Sequence, residues 1–434
     1  MKKKLFMKNK ILDKIRKIDI SIFILLIVVI LIRTLIYTGY TDYSTFHDTT
    51  SYMEYKANIL KGEIDAFRTP IYPNILNIME FFNKDEVATY KSVTFFQEII
   101  SIISVVILYN TLKKCFKNQA TIWITTLIYA CLPAIFTYNR VILTESLSIS
   151  LFVMYFCFII RYLLKPTNIK TIVIGIFTLF LIMLRPSFIY LIILLITLFG
   201  LIFILKKENR TQAILGIGTL VSLIILVLGY CFLNKVQNNF WGISNVTQKN
   251  QLDIVIGMEL YDTRDSRDKE IIDIIEQKLD KYSKIWFRNT TDRIMEKYTQ
   301  DEIGEYLKRC LKNNFSDYFR LTLKKIFNIA LLNCDAIYLE AISKSAIHTL
   351  IPFIFIYLYI IIEVIYIIIQ IIRKNKLPLE QSIMIIMILG QLATIILGAQ
   401  AEYSRLFIVS LPIIIISIGY HIEELITWYK FEKR

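Results

Sequence analysis

Ten long apolar stretches punctuate this chain of 434 residues, and most are long enough to cross a bilayer. They fall at 18–38, 89–112, 119–138, 141–164, 169–184, 187–205, 211–233, 347–372, 379–397 and 406–428. Hydrocarbon offers the backbone no hydrogen bonds, so a spanning segment must be a helix or part of a closed barrel. Barrel strands alternate apolar and polar residues, and the Ile-rich run 20–32 does not. The expected fold class is therefore an all-α polytopic membrane protein with about ten transmembrane helices. The stretch 169–184 is short and ends at Arg185-Pro186, so it is expected to be tilted or only partly spanning.

The distribution of charge predicts which way the bundle faces. A net charge of +14 could suggest nucleic acid. The excess, however, sits in short loops between apolar runs and forms no continuous soluble patch, so no nucleic-acid partner is expected. The N-terminus, the loops at 113–118, 161–170, 206–210 and 373–376, and the C-terminus together hold about 23 basic and 3 acidic residues. That bias marks the cytoplasmic side. An even number of spans places both termini there. It leaves two long polar segments, 39–88 and 234–346, on the extracytoplasmic face.

The organisation read from this is a basic cytoplasmic N-terminus (1–17), an N-terminal transmembrane catalytic module (18–233), an extracytoplasmic helical segment (234–346) and C-terminal transmembrane helices (347–434). The first apolar run carries no small-residue cleavage site and reads as an uncleaved anchor. A composition favouring Ile, Lys and Asn suggests AT-rich coding and a bacterial cytoplasmic membrane. The six cysteines contain no CxxC pair, and only Cys310 and Cys334 share a polar segment. Three dispersed histidines do not make a zinc site.

Both polar segments have helical patterning. In 39–88, Tyr52, Tyr55, Ile59 and Leu60 fit one helical face, broken at Gly62. Ile75, Leu76, Ile78 and Met79 form a second stripe, suited to lying on the membrane surface. In 234–346, Thr299-Gln300-Asp301-Glu302 has capping-box spacing ahead of Glu305, Leu307 and Leu311. Phe319, Leu323, Ile326 and Phe327 form another stripe, with Arg320, Lys324 and Lys325 on its polar side.

The chemistry-bearing residues gather on the face opposite the positive loops. Asp48 lies about ten residues beyond the first span, within reach of the membrane surface. A general base needs an ionised carboxylate beside the hydroxyl it activates, and His47 stands next to this one. Arg68-Thr69-Pro70-Ile71-Tyr72-Pro73 follows, with two prolines to fix a loop that must stay ordered. Arg140, Arg185 and Arg405 occupy three short turns that contain no lysine. Guanidinium groups grip phosphate oxygens bidentately, although the same residues also suit interfacial anchoring.

Several acids accompany these arginines. Glu145 follows Arg140 by five residues, and Glu402 lies three before Arg405 in reach of an ion pair. Glu98 and Arg33 fall within spans, where ionisable groups are costly, and Glu98 could equally be a packing partner for Arg33. Gln391 and Glu363 suit interhelical hydrogen bonding. Gly216-Ile217-Gly218 is no dinucleotide loop, since it follows no strand and lacks the third glycine.

Taken in order, the anchor, Asp48 with Tyr52, the Arg68–Pro73 segment, Leu143-Thr144-Glu145-Ser146-Leu147, Arg185-Pro186 and Glu402-Tyr403-Ser404-Arg405 resemble the GT-C glycosyltransferases. The resemblance points to bacterial relatives of protein O-mannosyltransferases and aminoarabinose transferases (family 39-like). It covers the chain best to about residue 233. It implies a GT-C-like bundle, a polyprenyl-phosphate-linked sugar as donor, and a glycan, lipid or protein acceptor. Asp48 takes the place of the base, and Arg68, Arg140, Arg185 and Arg405 that of the donor-phosphate ligands, supported by His47, Tyr52, Tyr72, Glu98, Glu145 and Glu402. Many relatives carry paired acids where this chain has His47-Asp48. No cofactor is therefore firmly implied, and a divalent metal stays open.

The expected activity is an inverting transfer of sugar to an extracytoplasmic hydroxyl, through an oxocarbenium-like state. Two other readings compete. A Wzy-like polymerase or ligase shares the layout, but 234–346 contains no histidine. A lipid-linked substrate transporter or flippase would be expected to show repeated halves, and none are visible.

Overall fold

The computed structural model describes residues 20–39, 41–58, 61–83, 85–276, 286–331, 346–375, 377–399 and 403–432. The N-terminus 1–17, Glu402 and Cys334 lie outside them, as do the side chain of His47 and those of Ile326 and Phe327. Among the described residues every element is a helix apart from one isolated parallel bridge, Ser44 to Val141.

In chain order, α1 (Ile20–Tyr37) is followed by the short α2 (His47–Met53) and by α3 (Ile71–Phe82). Then come α4 (Glu86–Cys115), α5 (Gln119–Cys131), α6 (Pro133–Phe136), α7 (Thr144–Leu164), α8 (Asn168–Leu184), α9 (Leu191–Leu205) and α10 (Arg210–Asn238). The insertion supplies α11 (Val246–Gly257), α12 (Lys269–Glu276), α13 (Trp286–Lys297), α14 (Gln300–Asn313) and α15 (Phe315–Leu331). Last are α16 (Ala346–Ile372), α17 (Leu379–Gly398), α18 (Tyr403–Phe407) and α19 (Leu411–Glu432).

The chain is an all-α polytopic membrane protein. Among the described residues eight helices are long and apolar enough to span, or nine if a bent pair counts as one span. That pair is Gln119–Cys131 and Pro133–Arg140, bent by 49° where Pro133 interrupts the third apolar stretch. The fifth stretch forms a 17-residue helix, α8, below full spanning length, as its sequence suggested. The main core joins the spans, with α7 and the last span at its centre and α1 and α16 at its rim.

The insertion has a smaller core of its own, built from Leu252, Val255, Ile271, Ile303, Tyr306 and Leu307. The capping box at Thr299 and Glu302 opens α14 as its spacing predicts. Arg309 grips the buried Asp268 with both Nε (2.8 Å) and Nη2 (2.6 Å), and Thr263 donates to the same carboxylate. Burial raises the Asp268 pKa, and the Arg309 and Thr263 bonds outweigh it, so the group stays below its ordinary value. Cys310 is a buried free thiol whose pKa burial pushes up to about 12.

The insertion packs on one end of the bundle. Asn245 N donates to Ala66 O (2.8 Å), Ser244 Oγ to Phe67 O (2.6 Å) and Asn250 Nδ2 to Gly398 O (2.9 Å). These three bonds join it both to the first polar loop and to the end of α17.

Candidate functional site

The site forms where four helices and a tight turn meet. Asp48 sits in the first turn of α2, whose start is fixed by Phe46 N donating to Thr49 Oγ1 (2.9 Å). Arg68 follows a tight turn in which Asp65 Oδ1 accepts from Phe67 N (2.6 Å) and Arg68 N (2.7 Å). Arg185 ends α8 in an extended conformation (φ −153°, ψ 118°), because Pro186 bars its predecessor from helical geometry. Glu145 lies in the first turn of α7 and Arg405 in α18.

Five of the side chains picked out by sequence converge. Arg68 Nη2 donates to Asp48 Oδ1 at 2.7 Å, and Arg405 Nη2 to Asp48 Oδ2 at 3.1 Å. Arg405 Nε also lies 3.4 Å from Glu145 Oε1, which is 3.5 Å from Arg185 Nη2. The order is thus arginine, aspartate, arginine, glutamate, arginine. Asp48 is the accessible member, with its side chain 35% exposed against 2% for Glu145. Burial alone would raise the Asp48 pKa, but Arg68 and Arg405 together overcome it and hold the carboxyl below its usual range. Asp48 is ionised at neutral pH.

Arg68 is held on every side. Its Nε donates to Ser51 Oγ (2.8 Å) and its Nη1 to Tyr52 Oη (3.2 Å), while its guanidinium lies 4.2 Å from the Tyr52 ring and 4.5 Å from the Phe67 ring. Tyr52 therefore belongs to the cluster through Arg68. Arg185 is less engaged, and its Nη1 is buried without a hydrogen-bond partner.

The cluster faces a cavity of about 560 Å³. Apolar side chains of the bundle line it, among them Leu184, Ile189, Ile395 and Leu406, and the insertion covers it with Ser244, Thr247, Lys249 and Asp253. Lys249 pairs with Asp292, and Thr291 Oγ1 donates to Asp253 at 2.5 Å, so these insertion charges are already matched.

Three other predicted residues stand elsewhere. Arg140 does not join the cavity. It turns to Asp42, reaching its carbonyl at 3.2 Å and Oδ1 at 3.4 Å, and stacks 4.2 Å from the Tyr37 ring. It lines a separate crevice with Arg33 and Glu98. The physical reason is local: the Arg140 carbonyl is tied to Ser44 N (2.8 Å), one residue before the bridge, and Asp42 and Tyr37 offer the guanidinium a nearer partner. Glu98 pairs with Arg33 at 2.6 Å, the packing alternative raised by the sequence. Tyr72 is buried in the core and donates to Gln97. Glu402, expected to pair with Arg405, lies outside the described residues.

Sequence reasoning missed the insertion's share of the cavity. The available signal was the polar run Asn245-Val246-Thr247-Gln248-Lys249-Asn250-Gln251, which starts twelve residues past the end of the seventh apolar stretch. It also gave Gln391 the role of an interhelical hydrogen bonder. Gln391 instead lines the cavity fully buried, and neither side-chain polar atom has a hydrogen-bond partner. Among the described residues no three His, Cys, Asp or Glu side chains gather as metal ligands.

The arrangement offers an ionised, reachable carboxylate held by cations, an adjoining cationic wall, and apolar surface continuous with the spanning helices. No protein-family model matches the sequence, and no curated protein is significantly similar to it.

Proposed function

We propose that the protein is an inverting GT-C-like glycosyltransferase that moves a sugar from a polyprenyl phosphate to the hydroxyl of a glycan, lipid or protein acceptor. The observation that carries this reading is Asp48: ionised, partly exposed, and held between Arg68 and Arg405 at the wall of an apolar-lined cavity. The positive short loops support an extracytoplasmic position for that cavity, in a bacterial cytoplasmic membrane.

The chemistry balances without a further reagent. The acceptor oxygen bonds to the anomeric carbon as the bond from that carbon to the phosphate oxygen breaks. The electron pair leaves with the lipid phosphate, and the acceptor proton passes to Asp48. Two arginines make Asp48 a weak base. A weak base suffices if the proton departs late, when bond formation has already acidified the hydroxyl. The leaving phosphate gathers charge, and Arg185 and Arg405 can stabilise it from the same wall. Arg68, spent on Ser51, Tyr52 and Asp48, positions the carboxylate.

The test is release of polyprenyl phosphate from labelled lipid-linked sugars by the purified protein in nanodiscs, with acceptor extracts supplied. Asp48→Asn is expected to lower release by about a thousandfold in protein that still folds and binds the donor, melting somewhat below wild type for want of the two ion pairs. Full activity in that variant removes Asp48 from the role. Passage of intact lipid between leaflets without cleavage would mark a flippase instead.

A further inference from the structure

The arginine wall accounts for an anion, but it leaves part of the cavity unexplained. Gln391 on α17 is fully buried, and both its amide nitrogen and its amide oxygen lack partners. Ser187, in the turn after Arg185, presents a hydroxyl oxygen that is also buried and unpartnered. Both residues line the cavity. A donor or acceptor left unmade in the interior carries its full desolvation cost. Thr394, one turn away, donates to the backbone carbonyl of Gln391 (2.9 Å) and leaves its amide unmatched.

The packing seats the two segments that carry these groups against each other. Gly390 lets the Tyr190 ring lie where any β-carbon would meet it, at 2.2 Å from Cδ2. Tyr190 Oη then donates to Met387 O at 3.1 Å. The turn carrying Ser187 is thereby seated on α17 beside Gln391. The chemistry of the unmatched atoms differs from that of the arginines. A phosphate oxygen only accepts hydrogen bonds, and it would repel the carbonyl of an amide. Sugar hydroxyls both donate and accept, and an amide offers the complementary pair.

We propose that Gln391 and Ser187 form a subsite for an uncharged, hydroxyl-rich group, the sugar ring of the donor, set beside the anion-binding Arg185. The inference rests on the transferase reading and adds to it which residues select the sugar. It makes Gln391 a binding residue with no part in proton transfer.

The test is equilibrium binding to the full chain in nanodiscs, read by native mass spectrometry. The probes are undecaprenyl phosphate, bare or loaded with glucose, galactose, mannose or arabinose. Wild type is expected to bind at least one loaded lipid more tightly than the bare one. Gln391→Leu is expected to lose at least about tenfold in affinity for that loaded lipid, keep its affinity for the bare lipid, and melt no lower than wild type. Arg185→Gln should weaken both lipids together. Ser187→Ala gives an independent reading, with the same selective loss, should Gln391→Leu fold poorly.

The subsite is overturned if bare and loaded lipids weaken in parallel in Gln391→Leu, or if neither weakens, as a site filled only by water would give. It is also overturned if no loaded lipid outbinds the bare one in wild type. Selective binding without any sugar transfer would overturn the transferase reading and leave the subsite standing.

Discussion

Two arginine–carboxylate clusters sit near the same end of this bundle, and they are built to opposite standards. Around Glu98, Arg33 donates from Nε to Ala130 O (2.8 Å) and from Nη1 to Glu98 (2.6 Å) and Ser101 (3.1 Å). The other oxygen of Glu98 accepts from Tyr37 (3.0 Å) and Asn139 (2.7 Å). This network pins α1 and α4 to the bent third span. Around Asp48 the accounts do not close: the carboxylate is partly open to the cavity and a guanidinium nitrogen of Arg185 has no partner. Ionisable groups inside spans are functional candidates by default, and what separates pin from site is how fully their hydrogen bonds are met.

That contrast can be broken most sharply by replacing one arginine in each cluster. Arg33→Met is expected to cost about 3 kcal/mol of stability, because it strands a half-buried carboxylate. This would be read as a lowered unfolding midpoint, with residual transfer scaling to the folded fraction. Arg405→Lys, which keeps a cation beside the buried Glu145 but loses the guanidinium fork, is expected to do the reverse, cutting transfer about a hundredfold with little change in that midpoint. Equal destabilisation by both would erase the distinction.

A second measurement uses acidity. The folded pKa of Asp48 is depressed, so its ion pairs contribute stability above the unfolded aspartate pKa, and this is lost as pH falls through the lower folded value. Transfer should therefore hold level from neutral pH through the ordinary aspartate range near ~4 and decline only below it. A decline centred near neutrality would assign the essential proton to another group. The smallest effect is expected at Arg140. Arg140→Ala should leave transfer within about twofold of wild type, since its guanidinium serves Asp42 and Tyr37 outside the cavity, an exposed pairing of small worth.

The spans were legible because a lipid interior forces long apolar helices, and a period or a length can be read from one chain. Asp48, Arg68, Arg185, Glu145 and Arg405 were legible as residue types at helix ends, where Arg185-Pro186 announces its own break. Arg140 shows the limit of that reasoning. It shares the type and the setting of the other three, and only the neighbours that compete for it, Asp42 and Tyr37, decide where it points. Gln391 shows the converse. In sequence an amide within a span suggests a hydrogen bond to another helix, and its two unmatched atoms become visible only once the packing is known. The insertion's contribution was hidden for a further reason, because the bonds from Asn245 to Ala66 and from Asn250 to Gly398 join positions far apart in the chain.

The small parallel bridge outlasts any single side chain in its consequence. Ser44 N donates to Arg140 O (2.8 Å) and Ile142 N to Ser44 O (3.0 Å), which stitches the segment bearing Asp48 to the one bearing Glu145. The interval between those two acids is thus kept by peptide groups, which every amino acid but proline supplies. Descendants of this chain, natural or designed, could exchange the residues at either position and inherit the spacing unchanged, leaving chemistry free to drift on a frame that does not.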